Sequence, residues 1–398
     1  MLKIGIIKEG KVPTDKRVAF TPAQCVQIQQ QYPQLTIKVQ SSDIRSYSDQ
    51  EYEQAGISVV QDVTDCDILF GVKEVPVSQL IADKTYFFFS HTIKKQVYNK
   101  GLLQEVLRQG IQLVDYECLK NQAGQRVVAF GRFAGIVGAY NALWTYGQKH
   151  QAYALKRAYA CKDREELFQE LTKVKLPPLK IVLTGGGRVA KGAMEVLDQL
   201  GIKKVSTADY ATAHTTPVYC QLESEDYNHR KDGQAFDIAD FYTNPSAYES
   251  TFEQYFHSDL LIAAAYWDPK APVLFSKEDM CSDAFNIQLI ADITCDIEGS
   301  IPSTLRATTI DAPVYDLDLS QWEERVAFQE KDLLSVMAVD NLPCELSRDA
   351  SESFGEQLME NALPALFGMI DDPIIEQASI TKRGQLTEYF NYLEDYVA

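Results

Sequence analysis

Few of the patterns that mark secreted, metal-binding or membrane proteins occur in this sequence. Its eight cysteines lie far apart with no Cys-x-x-Cys pair, and its five histidines show no His-x-x-x-His spacing. Dispersed cysteines are typical of reduced thiols, since a disulfide framework or a zinc cluster needs close and repeated spacing. We therefore expect neither disulfides nor a metal site.

Long apolar runs are also missing. No stretch approaches the roughly 18 consecutive apolar residues that span a bilayer. The apolar part of the opening "MLKIGIIKEG" is too short for the core of a secretory signal, and charge returns at Lys8. These absences predict a cytoplasmic protein without a membrane partner.

Positive charge is in deficit, because 38 lysines and arginines face 56 aspartates and glutamates, for a net charge of −18. Such a surface repels a polyanion, so we exclude nucleic acid as a partner. Residues 1–40 are the exception, because their lysines and arginines outnumber their acidic residues. A small anionic ligand could bind there.

What the sequence does contain is an alternation of short β-rich runs with amphipathic helical runs. Its 398 residues, 45% of them apolar, are enough for two domains with a core each. Alternating strands and helices are typical of a parallel sheet with right-handed crossovers. We predict an α/β protein with two Rossmann-like parallel-sheet domains and the active site in the cleft between them. The predicted strands of the first part are "KIGIIK" (3–8), "TIKVQ" (36–40), "DILFGV" (67–72), "YFFFS" (86–90), "IQLVDY" (111–116) and "RVVAF" (126–130).

The second half of the sequence suggests where one domain gives way to the other. A long, mostly apolar helix is predicted at 131–150, and its small residues Gly135 and Gly138 would allow close packing against a neighbour. A second α/β unit follows, with a polar, turn-rich insertion near 215–258. We predict a substrate and catalytic domain from residues 1–135 plus 341–398, and a dinucleotide-binding domain from 136–340.

The stretch "TGGGRVAKG" (184–192) stands between a buried-strand pattern and an amphipathic helical pattern. Gly185, Gly187 and Ala190 match Gly-x-Gly-x-x-Ala. In this motif glycine allows a tight turn and the close approach of a pyrophosphate, which the N-terminus of the helix binds. The next predicted strand, "KVSTADY", ends in Asp209, whose carboxylate would bind the adenosine ribose hydroxyls and repel the extra phosphate of NADP. We therefore predict NAD rather than NADP as the cofactor.

Candidate catalytic groups follow the strands of the first domain. Ligands of open α/β sheets bind at the carboxyl ends of the strands, and Lys73, His91 and Arg17 each follow a predicted strand. Histidine transfers protons near neutral pH, as does a lysine whose pKa is lowered, and arginine binds carboxylates. Taken singly, each residue also fits a surface cation or a loop histidine; taken together, they favour acid–base chemistry on a carboxylate-bearing substrate.

Three long stretches of the chain are distinctive: "KTYFFFSHTIKKQVYNKGLLQEVLRQGIQLVDYE", "QRVVAFGRFAGIVG" and "DNLPCELSRDASESFG". They resemble the lysine-forming saccharopine dehydrogenases and the lysine–2-oxoglutarate reductase part of the bifunctional lysine-degrading enzyme. The opening "KEGK…RVAFTP" is similar to that of the alanine dehydrogenase and transhydrogenase fold group, to which this family belongs. The resemblance covers essentially the whole chain.

The resemblance implies an oxidoreductase of lysine metabolism and amino-acid biosynthesis. Its reaction would be the reversible, NAD-dependent oxidative deamination of saccharopine to L-lysine and 2-oxoglutarate, through an imine. The resemblance assigns Lys73 and His91 as the catalytic pair. It implies substrate contacts at Arg17, Gln96, Arg126 and Phe130, and cofactor contacts at Gly185, Gly187, Arg188, Val189, Asp209, Val339, Asp340, Asn341 and Leu342.

Two positions depart from the family pattern. Gln125 stands where many fungal lysine-forming enzymes have arginine, and the NADPH-dependent reductases that the chain resembles lack an acid at the position of Asp209. Because a carboxylate beside a 2′-phosphate is repulsive, Asp209 favours NAD.

Two alternatives stay open. An alanine-dehydrogenase-like enzyme would share the fold and NAD, but "SHTIKKQ" and "VVAFGRFAG" fit it poorly. A catalytically silent NAD-binding regulator would not need Lys73, His91 and Arg126 together.

Overall fold

The computed structural model describes residues 2–398 and contains two eight-stranded sheets, one in each of two units. Unit 1 comprises residues 2–130 and Ser347–Ala398, and unit 2 comprises Gly131–Leu346. The strands in chain order are β1 (Leu2–Ile6), β2 (Leu35–Gln40), β3 (Ser58–Val60), β4 (Ile68–Phe70), β5 (Thr85–Phe88), β6 (Gln112–Asp115), β7 (Lys180–Thr184), β8 (Lys203–Lys204), β9 (Val218–Leu222), β10 (Asn228–Arg230), β11 (Tyr248–Ser250), β12 (Leu260–Ala263), β13 (Leu289–Asp292), β14 (Val314–Asp318), β15 (Glu323–Arg325), β16 (Leu334–Met337), β17 (Ser379–Lys382) and β18 (Gln385–Leu386).

Local sequence signals set where several helices begin. At the first helix the side chains of Thr21 and Gln24 each accept a hydrogen bond from the main chain of the other, and Pro22 takes the first helical position. Ser48 and Glu51 form the same reciprocal pair at the second helix. The helices are α1 (Pro22–Gln31), α2 (Asp49–Gln54), α3 (Lys100–Arg108), α4 (Gly131–His150), α5 (Arg164–Glu170), α6 (Arg188–Gln199), α7 (Thr207–Tyr210), α8 (Ile238–Thr243), α9 (Lys277–Met280), α10 (Ser347–Asn361), α11 (Leu363–Leu366), α12 (Ile374–Gln377) and α13 (Glu394–Val397).

The sheet of unit 1 has the strand order β18-β17-β6-β5-β4-β1-β2-β3. Strands β1 to β6 run parallel, whereas β17 is antiparallel to both of its neighbours. The chain builds outward from β1 to β3 on one side and from β4 to β6 on the other. The order therefore reverses between β1 and β4, and open α/β sheets bind ligands at such a switch point.

The sheet of unit 2 has the order β15-β14-β16-β13-β12-β7-β9-β8. Strands β7, β8, β9, β12, β13 and β16 run parallel, so their carboxyl ends share one edge, and β14 is antiparallel to β15 and β16. Strands β10 and β11 form a separate antiparallel hairpin. The predicted fold class, an α/β protein with two Rossmann-like sheets, is confirmed.

Two predicted features of the chain differ in the structure. Residues 126–130 are not a strand: Arg126 makes only an isolated bridge to Lys120, and the place beside β6 is taken by β17, from the other end of the chain. The polar stretch 215–258 contains the core strand Val218–Leu222 as well as the hairpin. The apolar run "VYCQL" (218–222) is short and has polar residues on both sides, so the sequence pattern does not identify it as a strand.

Helices α4 and α6 of unit 2 cross with their backbones in contact. A Cβ atom on Gly135 would lie 1.9 Å from the carbonyl oxygen of Val189, and one on Gly192 would lie 2.0 Å from that of Arg132. A Cβ atom on Gly138 would meet the side chain of Ile293 at 2.5 Å. The predicted close packing at Gly135 and Gly138 is confirmed, and it fixes the position of α6.

All eight cysteines are unpaired. Within residues 2–398 no helix has the length and apolar character needed to cross a membrane. Nor does this part of the chain bring together three or more His, Cys, Asp or Glu side chains as metal ligands.

Candidate active site

Lys73 follows β4 at the switch point of unit 1. Glu9, which follows β1, accepts hydrogen bonds at its two carboxyl oxygens from the main-chain N–H groups of Val72 and Lys73, at 2.7 and 2.9 Å. Lys73 is partly buried, and burial, together with the positive charges of Arg17 and Lys11, lowers its pKa. A lowered pKa makes the neutral amine available for proton transfer at a lower pH.

His91 follows β5 and is oriented by Glu74. Its Nδ1 lies 2.6 Å from Oε1 of Glu74, and Oε2 of Glu74 accepts a hydrogen bond from Nζ of Lys11 at 2.8 Å. Burial opposes ionisation of Glu74, yet the hydrogen bonds from His91 and Lys11 hold its pKa at about 2. An ionised carboxylate only accepts hydrogen bonds, so the proton of neutral His91 lies on Nδ1 and Nε2 is its basic nitrogen.

The backbone of His91 is strained. Its φ angle is 51°, in the left-handed region that few residues other than glycine adopt. Such conformations persist where the surrounding structure enforces them, and they concentrate at functional sites.

Arg17 is buried and held by Asp15. Its Nε and Nη2 donate to the two carboxylate oxygens of Asp15 at 3.0 and 2.6 Å, and only 2% of its surface is exposed. Its guanidinium carbon lies 4.1 Å from the centre of the Phe130 ring. Arg17 and Phe130, both predicted substrate residues, are therefore in contact.

Arg126 is partly exposed and linked to His91 through an aromatic ring. Its guanidinium carbon lies 5.2 Å from the centre of the Phe89 ring, which stacks on the His91 ring at 6.3 Å. Nη1 of Arg126 lies 3.4 Å from Oε1 of Glu117. The other oxygen of Glu117 is buried and has no hydrogen-bond partner in the described part of the chain. A cationic group of a ligand would satisfy that oxygen.

Gln96 differs from the other predicted substrate residues, because its hydrogen bonds to side chains are made with tyrosines that are not bonded to Lys73 or His91. Its side-chain oxygen accepts a hydrogen bond from the Tyr98 hydroxyl at 2.6 Å, and its main-chain oxygen accepts one from the Tyr396 hydroxyl. Five more charged residues lie in this group, although the sequence indicated no role for them: Glu9, Lys11, Asp15, Glu74 and Glu117. Glu9, Glu74 and Glu117 follow predicted strands, so the sequence does place them at this edge of the sheet, whereas the contacts of Lys11 and Asp15 are evident only from the structure.

The glycine turn of unit 2 leads from β7 into α6. Gly185 has a φ angle of 95°, and its N–H donates to the Leu222 carbonyl at 2.7 Å. Gly187 stands before α6 without a side-chain cap, and a Cβ atom there would meet nothing within 4 Å. The helix begins with the exposed Arg188, and Ala190 is fully buried. This open helix N-terminus fits the pyrophosphate of a dinucleotide.

The prediction that a strand ends at Asp209 is wrong. Strand β8 ends at Lys204, and Asp209 is an exposed residue of α7, where its side chain accepts a hydrogen bond from the Ser206 hydroxyl at 2.9 Å. The strand beside β7 is β9, one connection later in the chain.

Glu223 occupies the position that the sequence argument gave to Asp209. It follows β9 directly, and a Cβ atom on Gly186 would lie 2.1 Å from its carboxylate. Gln221 fixes this arrangement, because its amide donates to Glu223 Oε1 at 2.8 Å and to the Gly185 carbonyl at 3.1 Å. The acidic group at the glycine turn is therefore Glu223.

The segment from Val339 to Leu342 follows β16, at the same edge of the unit 2 sheet as the glycine turn. Val339 and Leu342 are buried, Asp340 is exposed, and the Asn341 amide donates to the Cys344 sulfur at 2.9 Å. The predicted cofactor segment thus has two anchoring side chains and one exposed carboxylate.

A cavity of about 140 Å³ opens at the carboxyl ends of β7 and β12. Thr184 and Ala263, at the ends of these strands, line it together with Ser224, the residue after Glu223. Aromatic side chains supply much of the remaining wall, from Tyr227, Phe241, Tyr242, Tyr266 and Trp267. The cavity therefore has a mixed lining of aromatic and polar side chains.

Known protein families match both parts of the chain. The N-terminal domain of alanine dehydrogenase/PNT matches residues 5–137, and the C-terminal domain of alanine dehydrogenase/PNT matches residues 158–389. The chain belongs to the alanine dehydrogenase/PNT family of oxidoreductases. A solved L-alanine dehydrogenase aligns over 100% of both chains with a TM-score of 0.64 at 16% identity, which shows the shared fold.

Two relatives of this alanine dehydrogenase/PNT protein are named after enzymes other than alanine dehydrogenase. The alpha-aminoadipic semialdehyde synthase of Arabidopsis thaliana is 30% identical over 437 residues, which cover 98% of this chain and 41% of the relative. The chain thus spans less than half the length of that relative. The saccharopine dehydrogenase [NAD(+), L-lysine-forming] of Emericella nidulans is 26% identical over 381 residues, or 91% of each chain.

Proposed function

We propose that the chain is an NAD-dependent saccharopine dehydrogenase (L-lysine-forming), which reversibly converts saccharopine to L-lysine and 2-oxoglutarate. The observation that carries this proposal is the group formed by Lys73, Glu74 and His91. It combines an amine of lowered pKa with an imidazole held by an ionised carboxylate. The names of the relatives support this choice of substrate.

Two bases suit the two proton transfers of this reaction. Neutral Lys73 takes the proton of the secondary amine of saccharopine, which must be lost before the carbon–nitrogen bond is oxidised to an imine. Nε2 of His91 takes a proton from the water that adds to the imine carbon. His91 returns that proton to the nitrogen of the resulting carbinolamine and takes the proton of its hydroxyl group, so the carbon–nitrogen bond breaks and the new carbonyl group of 2-oxoglutarate forms as L-lysine leaves.

The charges of unit 1 match those of the substrate. Saccharopine carries three carboxylates, and Arg17 and Arg126 are suited to bind them because guanidinium groups recognise carboxylates in a planar geometry. The unpartnered oxygen of Glu117 supports the binding of an ammonium group beside Arg126. Phe130 lies against Arg17 and supplies an apolar surface for the carbon chain. Gln96 stays a prediction.

Unit 2 has residues that fit NAD. The turn from Gly185 to Gly187 and the start of α6 would bind the pyrophosphate, and Glu223 would bind the adenosine ribose hydroxyls. NAD held there supplies the acceptor for the hydride that leaves the substrate carbon. We assign to Glu223 the discrimination against the 2′-phosphate of NADP that the sequence argument gave to Asp209, because its carboxylate lies on the glycine turn. The segment from Val339 to Leu342 would close over the cofactor.

The test of this proposal is a comparison of amino-acid substrates. The purified chain is incubated with NAD and either saccharopine or L-alanine, and NADH formation is followed by absorbance. We expect turnover with saccharopine and little with alanine. Turnover with alanine alone would support the alanine-dehydrogenase-like alternative, and NAD binding without turnover of either would support the silent regulator.

A further inference from the structure

Glu9 holds the turn that carries Lys73. Both of its carboxyl oxygens accept main-chain hydrogen bonds, one from Val72 at 2.7 Å and one from Lys73 itself at 2.9 Å. The carboxyl group of Glu9 also packs beside Gly71, because a Cβ atom there would lie at an ordinary contact distance, 3.5 Å, from Oε1 of Glu9. We propose that Glu9 is a positioning residue that fixes the main chain of Lys73 and thereby the place of its amine.

The arrangement requires a carboxyl group in particular. The two main-chain groups are both donors, so the side chain of residue 9 must present an acceptor at each of its two terminal atoms. A carboxyl group has an oxygen at both places, whereas a carboxamide has one oxygen and one NH₂ group. In Glu9→Gln one main-chain N–H would therefore face another donor, and an unsatisfied donor in a partly buried site is unfavourable.

The surroundings of Glu9 argue against a role in stability alone. Burial of its carboxyl group, together with the negative charge of Asp15, raises the pKa of Glu9 to about 8. Burying an acid in this way disfavours folding. A residue that disfavours folding while bonding the main chain of a predicted catalytic lysine is better explained by the geometry that it imposes.

The pKa of the Lys73 amine depends on where the turn holds it. Its pKa is lowered by burial and by Arg17 and Lys11, while Asp15 and Glu74 act in the opposite direction. These four charged groups face the amine, and none of them is changed by a substitution at Glu9. If the turn loosens, the amine reaches water and its pKa rises towards the ordinary value of a lysine.

The first test measures the pKa of the Lys73 amine without using catalysis. The wild-type protein, Glu9→Gln and Glu9→Asp are labelled over a range of pH with a limiting amount of acetic anhydride, and the Lys73 peptide is quantified by mass spectrometry. We expect the labelling midpoint to be higher in Glu9→Gln than in the wild type. Glu9→Asp should lie between the two, because it keeps both oxygens on a shorter side chain. An unchanged midpoint in both variants would overturn the proposal.

The matched control is Glu51→Gln. Glu51 is also a carboxylate of unit 1 that accepts a main-chain hydrogen bond, from Ser48 at 2.7 Å, but it serves the start of α2. We expect this variant to leave the Lys73 labelling midpoint unchanged. A rise in the control equal to that in Glu9→Gln would show a general loosening of unit 1 and would also overturn the proposal.

The second test is kinetic and rests on the proposed function. With saccharopine and NAD, Glu9→Gln should lower kcat by roughly 10- to 100-fold while KM for saccharopine changes little, because a misplaced amine affects proton transfer more than binding. An equal loss in kcat and in substrate binding would indicate a structural role only. If the wild-type protein does not turn over saccharopine, the proposed function fails, and the labelling midpoints still decide the role of Glu9.

Discussion

Lys73 and His91, the two residues proposed to transfer protons, differ in their surroundings. Burial and two neighbouring cations lower the pKa of Lys73, so its neutral form is favoured at a lower pH than in an ordinary lysine. His91 is prepared by its bond to ionised Glu74, which fixes the proton on Nδ1. Both residues follow adjacent strands, β4 and β5, so their roles depend on the same sheet edge.

Substitution of either base should lower the rate of the chemical step. We expect Lys73→Met and His91→Gln each to reduce kcat by roughly 10²- to 10⁴-fold, since this is the usual contribution of a positioned proton-transfer group. The affinity for NADH should stay nearly unchanged, because the glycine turn lies in unit 2. Steady-state kinetics over pH should show the loss of one limb of the profile in each variant. Full kcat with a wild-type pH profile in both variants would refute the catalytic assignment.

Glu223 and Asp209 are the two candidates for the acid that binds the adenosine ribose, Glu223 from the structure and Asp209 from the sequence. We expect Glu223→Ala to raise KM for NADH and to reduce the preference for NADH over NADPH by on the order of tenfold, because hydrogen bonds to a charged group and its repulsion of phosphate are both lost. Asp209→Ala should change neither value, since Asp209 is an exposed residue of α7. The measurement is kcat/KM for both cofactors. A change of preference in Asp209→Ala alone would restore the original assignment.

The crossing of helices α4 and α6 sets the position of the glycine turn. Gly135→Ala would bring a methyl group to 1.9 Å from a main-chain oxygen of α6. We expect this variant to lower the free energy of unfolding by about 1–3 kcal/mol, as overpacking of a close contact does.

Gly101→Ala is the control, because Gly101 lies in α3 and a Cβ atom there would meet nothing within 4 Å. It should stabilise the chain by about 0.5–1 kcal/mol, since alanine is the better helix former. The measurement is denaturant unfolding of both variants. An equal change in the free energy of unfolding in the two would show that the helices do not pack closely at Gly135.

Regular elements could be predicted from the sequence where the pattern is local. The strands at 67–72 and 86–90, the glycine turn and the helix with small residues at 131–150 all follow from a few neighbouring residues, and the structure contains them. The false strand at 126–130 shows the limit. Its apolar residues fit a strand, but the place in the sheet is filled by β17 from the other end of the chain. Competition between distant segments for one place in a sheet cannot be detected from the residues of one segment alone.

The candidate site could be predicted in part for the same reason. Lys73, His91 and the glycine turn follow strands that are evident in the sequence. Glu223 could not be found, because identifying it requires knowing that β9, and not β8, pairs with β7. The bond between Glu74 and His91 likewise joins two loops that only the sheet order brings together.

For the whole molecule, two buried acids should make stability depend on pH. Burial raises the pKa of Glu345 to about 7 and, with Asp15, that of Glu9 to about 8. An acid whose pKa is higher in the folded chain than in the unfolded chain leaves the folded state most stable at low pH, where the acid is protonated in both states, and stability falls as the pH rises from the unfolded pKa to the folded pKa. We therefore expect the unfolding temperature to fall between about pH 5 and pH 8. Calorimetry should show that the unfolding temperature of Glu345→Gln depends less steeply on pH, and an unchanged dependence would show that Glu345 does not contribute to it.

Formation of saccharopine by this chain is tested by identifying the reaction product. Purified protein is supplied with L-lysine, 2-oxoglutarate and either NADH or NADPH, and the mixture is analysed by mass spectrometry, with lysine or 2-oxoglutarate omitted in the controls. We expect saccharopine in the complete mixture only, formed faster with NADH than with NADPH. Cofactor oxidation without saccharopine, or no oxidation at all while both cofactors bind, would refute the proposed saccharopine dehydrogenase activity.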